Sequence, residues 1–587
     1  MRHRNRTTAV LAAVGLALCT VSAGCSSSGG SSGSSAKGGG ITALPAQSIN
    51  ATPYADVQSG GTLRIAVQGF PNQFNFNQVN GTTTAVSAIV SALMPTPFIT
   101  SGTGQTEADP AYVSSYKVVQ ADPAKKISQS VTLELNPKAK WSTGQPITAH
   151  DYIVQWEALN GSNSKFDPSG TTGFNDIGDV TQGSSPYEVT YTFSTPFSEW
   201  AAVFGVVYPA QYNETPSAFD NGYLNKIPVT GGPFKVQSIN QSAQSVTLVR
   251  DPNFWWRPAK LNSIVVINLS QQAAVQALAN NEIDDDEVFN VSQYDEVKNT
   301  PGYTTRVASS LLWPDILFNS KNGVTDDVKV RQALEMAIDR PAIITSQMKG
   351  LPVSGIQPLD NHVLVPMQVG YKDDSGSLGT YNPKEAETIL TQEGWVPGPG
   401  GVRTKDGKPM QLTIDIPSGD DIASSIAQLA QQMWMVVGFK TTIQTINQDD
   451  YFTDYFNTGN FQIGIFEWDD PPYTVSNSES MFQAPQGSNV FQNPGGIYNP
   501  KIDQLFNQAL SNTNVAQSHA TVDQADALIW QEGHDLPLFL EPDIEVEKAN
   551  LANYGAWGMG LPDYTDIGYT STAGAGATSG ATSSSTP

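Results

Sequence analysis

Cysteine is nearly missing: the 587 residues hold only Cys19 and Cys25, both ahead of residue 26. The long remainder therefore has no disulfide, no Cys-ligated zinc, no iron–sulfur cluster and no cysteine nucleophile. Histidine is almost as scarce. His3, His150, His362, His519 and His534 are all there are, none pairs at metal-ligand spacing, and HExxH is absent, which points away from a zinc hydrolase. Basic residues are outnumbered, 31 Lys+Arg against 55 Asp+Glu for a net charge of −24, so the clustered cations that a nucleic-acid partner requires are not expected. No GxxxxGK[ST] exists to cradle a triphosphate. GxSxG occurs only as Gly29-Gly30-Ser31-Ser32-Gly33, inside a Ser/Gly stretch where no strand–turn–helix elbow forms. Past the N-terminus no apolar run reaches about 18 residues, so nothing else there is long enough to span a bilayer. What is present is a 39% hydrophobic chain, ample for a large core, and long enough for roughly three to four domain-sized units.

The first 25 residues read as an address. Arg2, Arg4 and Arg6 precede the apolar run TTAVLAAVGLALCTVSA, the order of a secretory signal. Ser22-Ala23-Gly24-Cys25 resembles a bacterial lipobox, with Ser22 where Leu is usual, and predicts lipidation of Cys25 after removal of residues 1–24. Such cleavage removes three arginines and no acid, leaving 28 basic residues against 55 acidic and a charge of −27. The Ser/Gly-rich stretch that follows reads as a flexible tether, placed at 25–59, and residues 570–587 as a disordered tail. The expected location is the outer face of the cytoplasmic membrane, held by the lipid.

Between these ends there is no 20–50-residue repeat, and helical and strand patterns alternate, which predicts an α/β protein. TLRIAV (62–67) is a short apolar strand. DDVKVRQALEMAIDR carries its apolar residues on one helical face, with Thr325 expected at the N-cap. In YNPKEAETILTQEGW, Asn382 is the expected cap, Pro383 the first helical residue and Gly394 the stop. DIASSIAQLAQQMWMVVGFKTTIQTI reads as helix, glycine, strand, half of a βαβ unit. Trp141 to Asp151 ends in Thr148-Ala149-His150-Asp151, a capping-box spacing that needs no function beyond the cap itself. The acidic run Glu282 to Glu287 lacks the glycine and ligand spacing of a calcium loop and is expected to be a solvated loop. Trp255 and Trp256 follow a strand and a turn and are expected in the core.

The ordered set of segments resembles the large extracellular solute-binding proteins of ABC importers, the group with the oligopeptide- and dipeptide-binding proteins. It is carried by Gly60-Gly61-Thr62-Leu63, Trp141-x-x-Gly144-x-Pro146-x-Thr148-Ala149-x-Asp151, Thr230-Gly231-Gly232-Pro233-Phe234, LVRDPNFWW (248–256) and Leu278-x-x-Asn281-Glu282-Ile283-Asp284. Phe318-Asn319, Val330-Arg331-Gln332-Ala333-Leu334, Tyr381-Asn382-Pro383 and Leu536-Pro537-Leu538 continue it. The resemblance spans about residues 60 to 570 and rests on order and spacing more than on any single motif. It implies a periplasmic-binding-protein-like fold of type II: two α/β lobes joined by crossing strands, with an extra domain inserted in the first. Lobe one maps to 60–308 plus 530–569, with the insertion at about 86–227, and lobe two to 309–529. The crossings are expected within 305–315 and 525–540.

The resemblance also implies a function without catalysis. A solute, a peptide or similar, is trapped between the lobes and delivered to the permease subunits of the importer, with no cofactor or metal. In peptide-binding relatives a Trp followed by an Asp sits where FQIGIFEWDDPPY (461–473) falls here, and the carboxylate pairs with the peptide's α-ammonium group. Trp468 with either Asp469 or Asp470 is the corresponding candidate, and Phe76, Asn77 and Trp313 are weaker ones. Other ligands stay open, an oligosaccharide among them, as does a sensor role. The competing class is a secreted glycan hydrolase using two of the many carboxylates, whose separation is not legible in sequence.

Overall fold

The computed structural model describes residues 44–122, 124–447, 450–469, 471–484 and 492–571. The expected export signal, Cys25, Asp470 and nearly all of the expected tail lie outside the described residues.

Two sheets organise the chain. A seven-stranded sheet runs in the order Tyr303–Ser309, Pro542–Lys548, Asp285–Glu287, Thr62–Val67, Ser263–Asn268, Ser245–Arg250, Phe234–Asn240. Thr62–Val67 lies in its middle, parallel to Ser263–Asn268, and its alternation puts Leu63 and Ile65 on one face. That face joins the main core with Ile264, Val266, Val246 and Leu248. The same core continues into an antiparallel four-stranded sheet formed by Val113–Val119, Ser130–Leu135, Glu188–Phe193 and Ile177–Gln182. On the opposite face Ile544 and Val546 pack beneath the helices Gln271–Ala279 and Val291–Val297. The second main sheet has five strands, Lys440–Ile446, Gln411–Pro417, Ile463–Asp469, Leu312–Phe318 and Asp535–Pro537. Helix Asp421–Val436 links the parallel neighbours Gln411–Pro417 and Lys440–Ile446, completing the βαβ unit, and buries Ile426, Ala430 and Trp434.

The chain crosses between the sheets twice. Residues 310–311 carry it out of Tyr303–Ser309 into Leu312–Phe318, and residues 538–541 bring it back from Asp535–Pro537 to Pro542–Lys548. The crossings are tied to each other: Leu538 N–H donates to the Pro314 carbonyl (3.0 Å), Glu541 N–H to Leu312 (2.8 Å), and Ser310 Oγ to the Glu541 carbonyl (2.7 Å). Two short paired spans of chain are where two lobes can rotate against each other.

Local signals mostly hold. Asn382 Oδ1 accepts from Glu385 N–H and Pro383 opens the helix Pro383–Gln392. At Thr148 the Asp151 carboxylate returns the bond to Thr148 N–H (2.9 Å) and also accepts from Trp141 Nε1 and Ala210 N–H, so the motif is a buried structural hub. Trp255 is half-buried and donates to the Ala111 carbonyl, whereas Trp256 is exposed rather than in the core.

Four expectations are corrected. Thr325 is no helix cap; its hydroxyl donates to the Asn319 carbonyl, and Asp327, whose carboxylate accepts from Lys329 N–H, caps Val328–Met336. Residues 44–59 are not tether, since Ser48–Ile49 pairs with Gly555–Ala556. The return to lobe one does not begin at 530: helix Val515–Glu532 runs past it, and Asp535–Pro537 pairs with Asp315–Leu317, satisfying the backbone of a buried strand. Finally, 282–287 is no solvated loop. Ile283, Asp284 and Asp285 are buried, and Asp284 is held by Arg64 (2.7 Å) and Lys548 (2.6 Å).

Candidate functional site

The last residue of strand Ile463–Asp469 sits opposite Leu312, the first residue after the outward crossing. Asp469 is therefore delivered to the joint between the two sheets. There it borders a cavity of about 300 Å³ that both lobes line: Glu287, Asp543 and Glu545 from the seven-stranded sheet, Leu312 and Asp469 from the five-stranded one, and Met559 from the C-terminal segment.

The acids on the first lobe share a face by strand register. Asp285 pairs with Glu547 and Glu287 with Glu545, and directly paired residues project to the same side of a sheet. In PDIEVEK the alternation is complete, with Ile544 and Val546 in the helical core and Asp543, Glu545 and Glu547 on the cavity side. Few cations answer them. Arg306, on the neighbouring strand, is paired with Glu547. Asp543 Oδ2 accepts from Trp557 N–H at 3.0 Å. Glu545 Oε2 is sealed from solvent and accepts no hydrogen bond.

Crowding of like charge in a poorly hydrated place disfavours the ionised form. Burial, then Asp285, Asp543 and Glu287, hold the Glu545 carboxyl well above the ordinary range. Glu287 is raised in the same way by burial, then by Asp543 and Asp469. Burial pushes Asp543 up to about 7. Asp469 is raised by burial alone; one side of it meets solvent while protein crowds the rest. Among the described residues no group of three or more His, Cys, Asp or Glu is arranged to hold a metal ion.

The candidates drawn from sequence do not all converge. Trp468 is half-buried and faces the other side of its strand from Asp469, outside the lining of this cavity. Its indole N–H donates to Asp315 Oδ2 (3.2 Å) and its ring meets Phe466 edge-on at 4.9 Å. Trp313 is a correction: it is 1% exposed and belongs to the core, so it presents no surface to a solute. Phe76 and Asn77 lie beside residues 206–208, where Phe76 N–H donates to Tyr208 Oη and Asn77 Nδ2 to the Val206 carbonyl. They are not in the cavity lining, and Asn77 is spent on a backbone bond. Asp470 lies outside the described residues.

One contact between the lobes was invisible in sequence. Helix Thr474–Phe482 has no side-chain cap of its own. Glu199, from beside the inserted sheet, supplies one from across the gap by accepting from Val475 N–H (3.2 Å) and Ser476 N–H (2.8 Å). Next to it Ser198 N–H donates to the Leu510 carbonyl at 2.6 Å. The lobes thus touch at the crossing strands and again at Glu199.

A family model for bacterial extracellular solute-binding proteins, family 5 Middle, matches residues 108–489. The oligopeptide-binding protein OppA of Mycobacterium tuberculosis (strain ATCC 25618 / H37Rv) is 34% identical over 526 residues, 89% of this chain and 87% of that protein. Among solved structures, a periplasmic EDTA-binding protein, EppA, superposes with a TM-score of 0.81 at 24% identity, covering 91% of this chain and all of that one. Lactococcal OppA, complexed with an endogenous peptide in the closed conformation, superposes at 0.69 and 20% identity over 87% of this chain and 100% of its own.

Proposed function

Because the chain belongs to the family 5 bacterial extracellular solute-binding proteins and has their type II two-lobed fold, we propose that it captures peptides between its lobes and hands them, unaltered, to the permease of an ABC importer. It acts as a lipoprotein, exported and anchored through Cys25. The lobes are taken as 60–308, with the insertion at 86–227, plus the C-terminal return to 569 after the crossing at 538–541, and 309–529 extended to that crossing.

The observation that carries the reading is the position of Asp469, a carboxylate that one lobe presents to the joint between both, in a cavity with little competing positive charge. A peptide's α-ammonium group entering there completes a charge-assisted hydrogen bond, which contributes about 1.5–3 kcal/mol. Closure is energetically within reach. Shifting a hinge from 1:99 to 99:1 needs about 5.5 kcal/mol of differential binding, and a micromolar ligand has about 8 kcal/mol in total. The 34% identical relative named as oligopeptide-binding supports peptide as the solute.

Native mass spectrometry of the purified protein, followed by denaturation, is expected to release intact peptides. Release of a saccharide, or consumption of the guest over time, would overturn the reading. In calorimetry with a peptide mixture, Asp469→Asn is expected to weaken binding by about 1–3 kcal/mol; full retained affinity would remove Asp469 from the α-ammonium role.

A further inference from the structure

The carboxylates at the joint outnumber what one α-ammonium group can match. Asp469 comes from one lobe, while Glu287, Asp543 and Glu545 come from the other. The charged groups near them are Asp285, Asp286, Glu467, Glu541 and Glu547, also acidic, and Arg306, which is already paired with Glu547. Glu545 is the telling member. Its Oε2, like Asp543 Oδ1 on the same wall, is buried and takes no hydrogen bond, although a buried polar atom without a partner is costly. Leu312 and Met559 form apolar parts of the same wall. Apolar and carboxylate groups lining one cavity match a side chain that has a methylene stem and a cationic head. Among the described residues no three or more His, Cys, Asp or Glu are placed for a metal, so a compact inorganic cation fits less well.

We infer that this cavity is a second cation subsite that takes a lysine or arginine side chain of the bound peptide, so that the protein selects peptides carrying positive charge beyond their α-ammonium group. This rests on the peptide reading above. Burial and repulsion raise Glu545 and Glu287, and burial raises Asp543 to about 7, so ionising these acids together is costly without a cation beside them. An arriving cation favours their ionised forms, and the displaced protons leave to buffer. A polyamine carries the same chemistry, cationic heads on an apolar stem, and needs its own arm in the test.

The mature full chain is titrated calorimetrically at low salt with tetra-alanine, with tetra-alanines bearing one Lys or one Glu at each position in turn, and with spermidine. At least one Lys peptide is expected to bind ten-fold or more tightly than tetra-alanine, with every Glu peptide weaker. Repeating the Lys titration at pH 7 in two buffers of different ionisation heat is expected to show proton release that tetra-alanine lacks. In Glu545→Gln, an isosteric change whose folding is checked by circular dichroism, the Lys-to-Ala affinity ratio is expected to fall to within about two-fold. Lys peptides and tetra-alanine binding the wild type equally well would overturn the inference while leaving the peptide reading standing. An unchanged ratio in Glu545→Gln would also overturn it. Spermidine binding that Glu545→Gln abolishes, with no peptide bound, would support the cation subsite and overturn the peptide reading.

Discussion

Two groups of buried carboxylates flank the crossing strands, and they are built in opposite ways. Around His362 two acids, Asp526 and Asp535, each have an imidazole partner. Asp526 Oδ1 accepts from His362 N–H (2.8 Å) and meets Nδ1 (2.7 Å), while Asp535 Oδ1 lies 2.7 Å from His534 Nδ1 and 3.7 Å from His362 Nε2. The effect shows on both sides. Asp535 is held below its usual range by His362 and His534 despite its burial, and His362 is pushed up to about 9 by Asp535 and Asp526 against its own desolvation. Around Glu545 the acids face one another, and all of them rise. In the first group Asp526 and Asp535 find their partners within the chain, while Glu335 and Asp315 beside them are raised by burial. In the second, Arg306 pairs with Glu547, and among the described residues no ion pair reaches Glu287, Asp543 or Glu545. Burial alone does not separate the two; the presence of partners does.

The contrast breaks most severely if the paired group is opened. Asp526→Ala leaves His362 charged, enclosed and short of its closest partner, and is expected to cost about 3–5 kcal/mol of stability in urea unfolding. A loss under 1 kcal/mol would mean the pair is no more than packing. The pH dependence sharpens the comparison, because the two groups act in different windows. His362 has a folded pKa near 9, above the usual 6.5, so its contribution of about 3 kcal/mol is complete below 6.5 and is lost as pH rises through about 9. Asp543, Glu547 and Asp286 have folded values near 7, above the usual carboxylate range near 4, so the folded state holds more protons and stability falls between about 4 and 7. Thermal melts of ligand-free protein are expected to decline through both windows. His362→Gln should flatten the upper one and Asp543→Asn the lower; the same flattening from both variants would erase the distinction. The smallest effect is expected at the Glu199 contact between lobes. Glu199→Ala removes a borrowed helix cap worth about 1 kcal/mol, and is expected to enlarge the radius of gyration of the ligand-free protein in X-ray scattering. An unchanged radius would assign Glu199 to local folding only.

Features that depend on a few neighbouring residues were legible beforehand. The Asn382 and Thr148 caps, the helix–glycine–strand unit at 421–446, and the arrival of Asp469 at a strand end all follow from short-range pattern. Trp313 could not be judged, because Leu312–Phe318 is covered on both faces and a fully buried strand carries no alternation to reveal which side is wet. The acids at 285 and 287 looked like a solvated run because their partners lie some 260 residues away. Yet PDIEVEK did hold a signal, strict alternation of acid and branched apolar residues, which marks a strand with one face in the core and one given to charge.

Chain order and composition alone determined that this is a large, cysteine-poor α/β protein, and its ordered motifs were enough to name the family. Tertiary structure decided which carboxylates meet, which of them find a cation and which stand alone. The physical reason is range. Capping, turn formation and amphipathic periodicity act within a few residues, whereas the energy of a charge is set by everything within several ångströms of it, brought there by strand register and by two crossings of the chain.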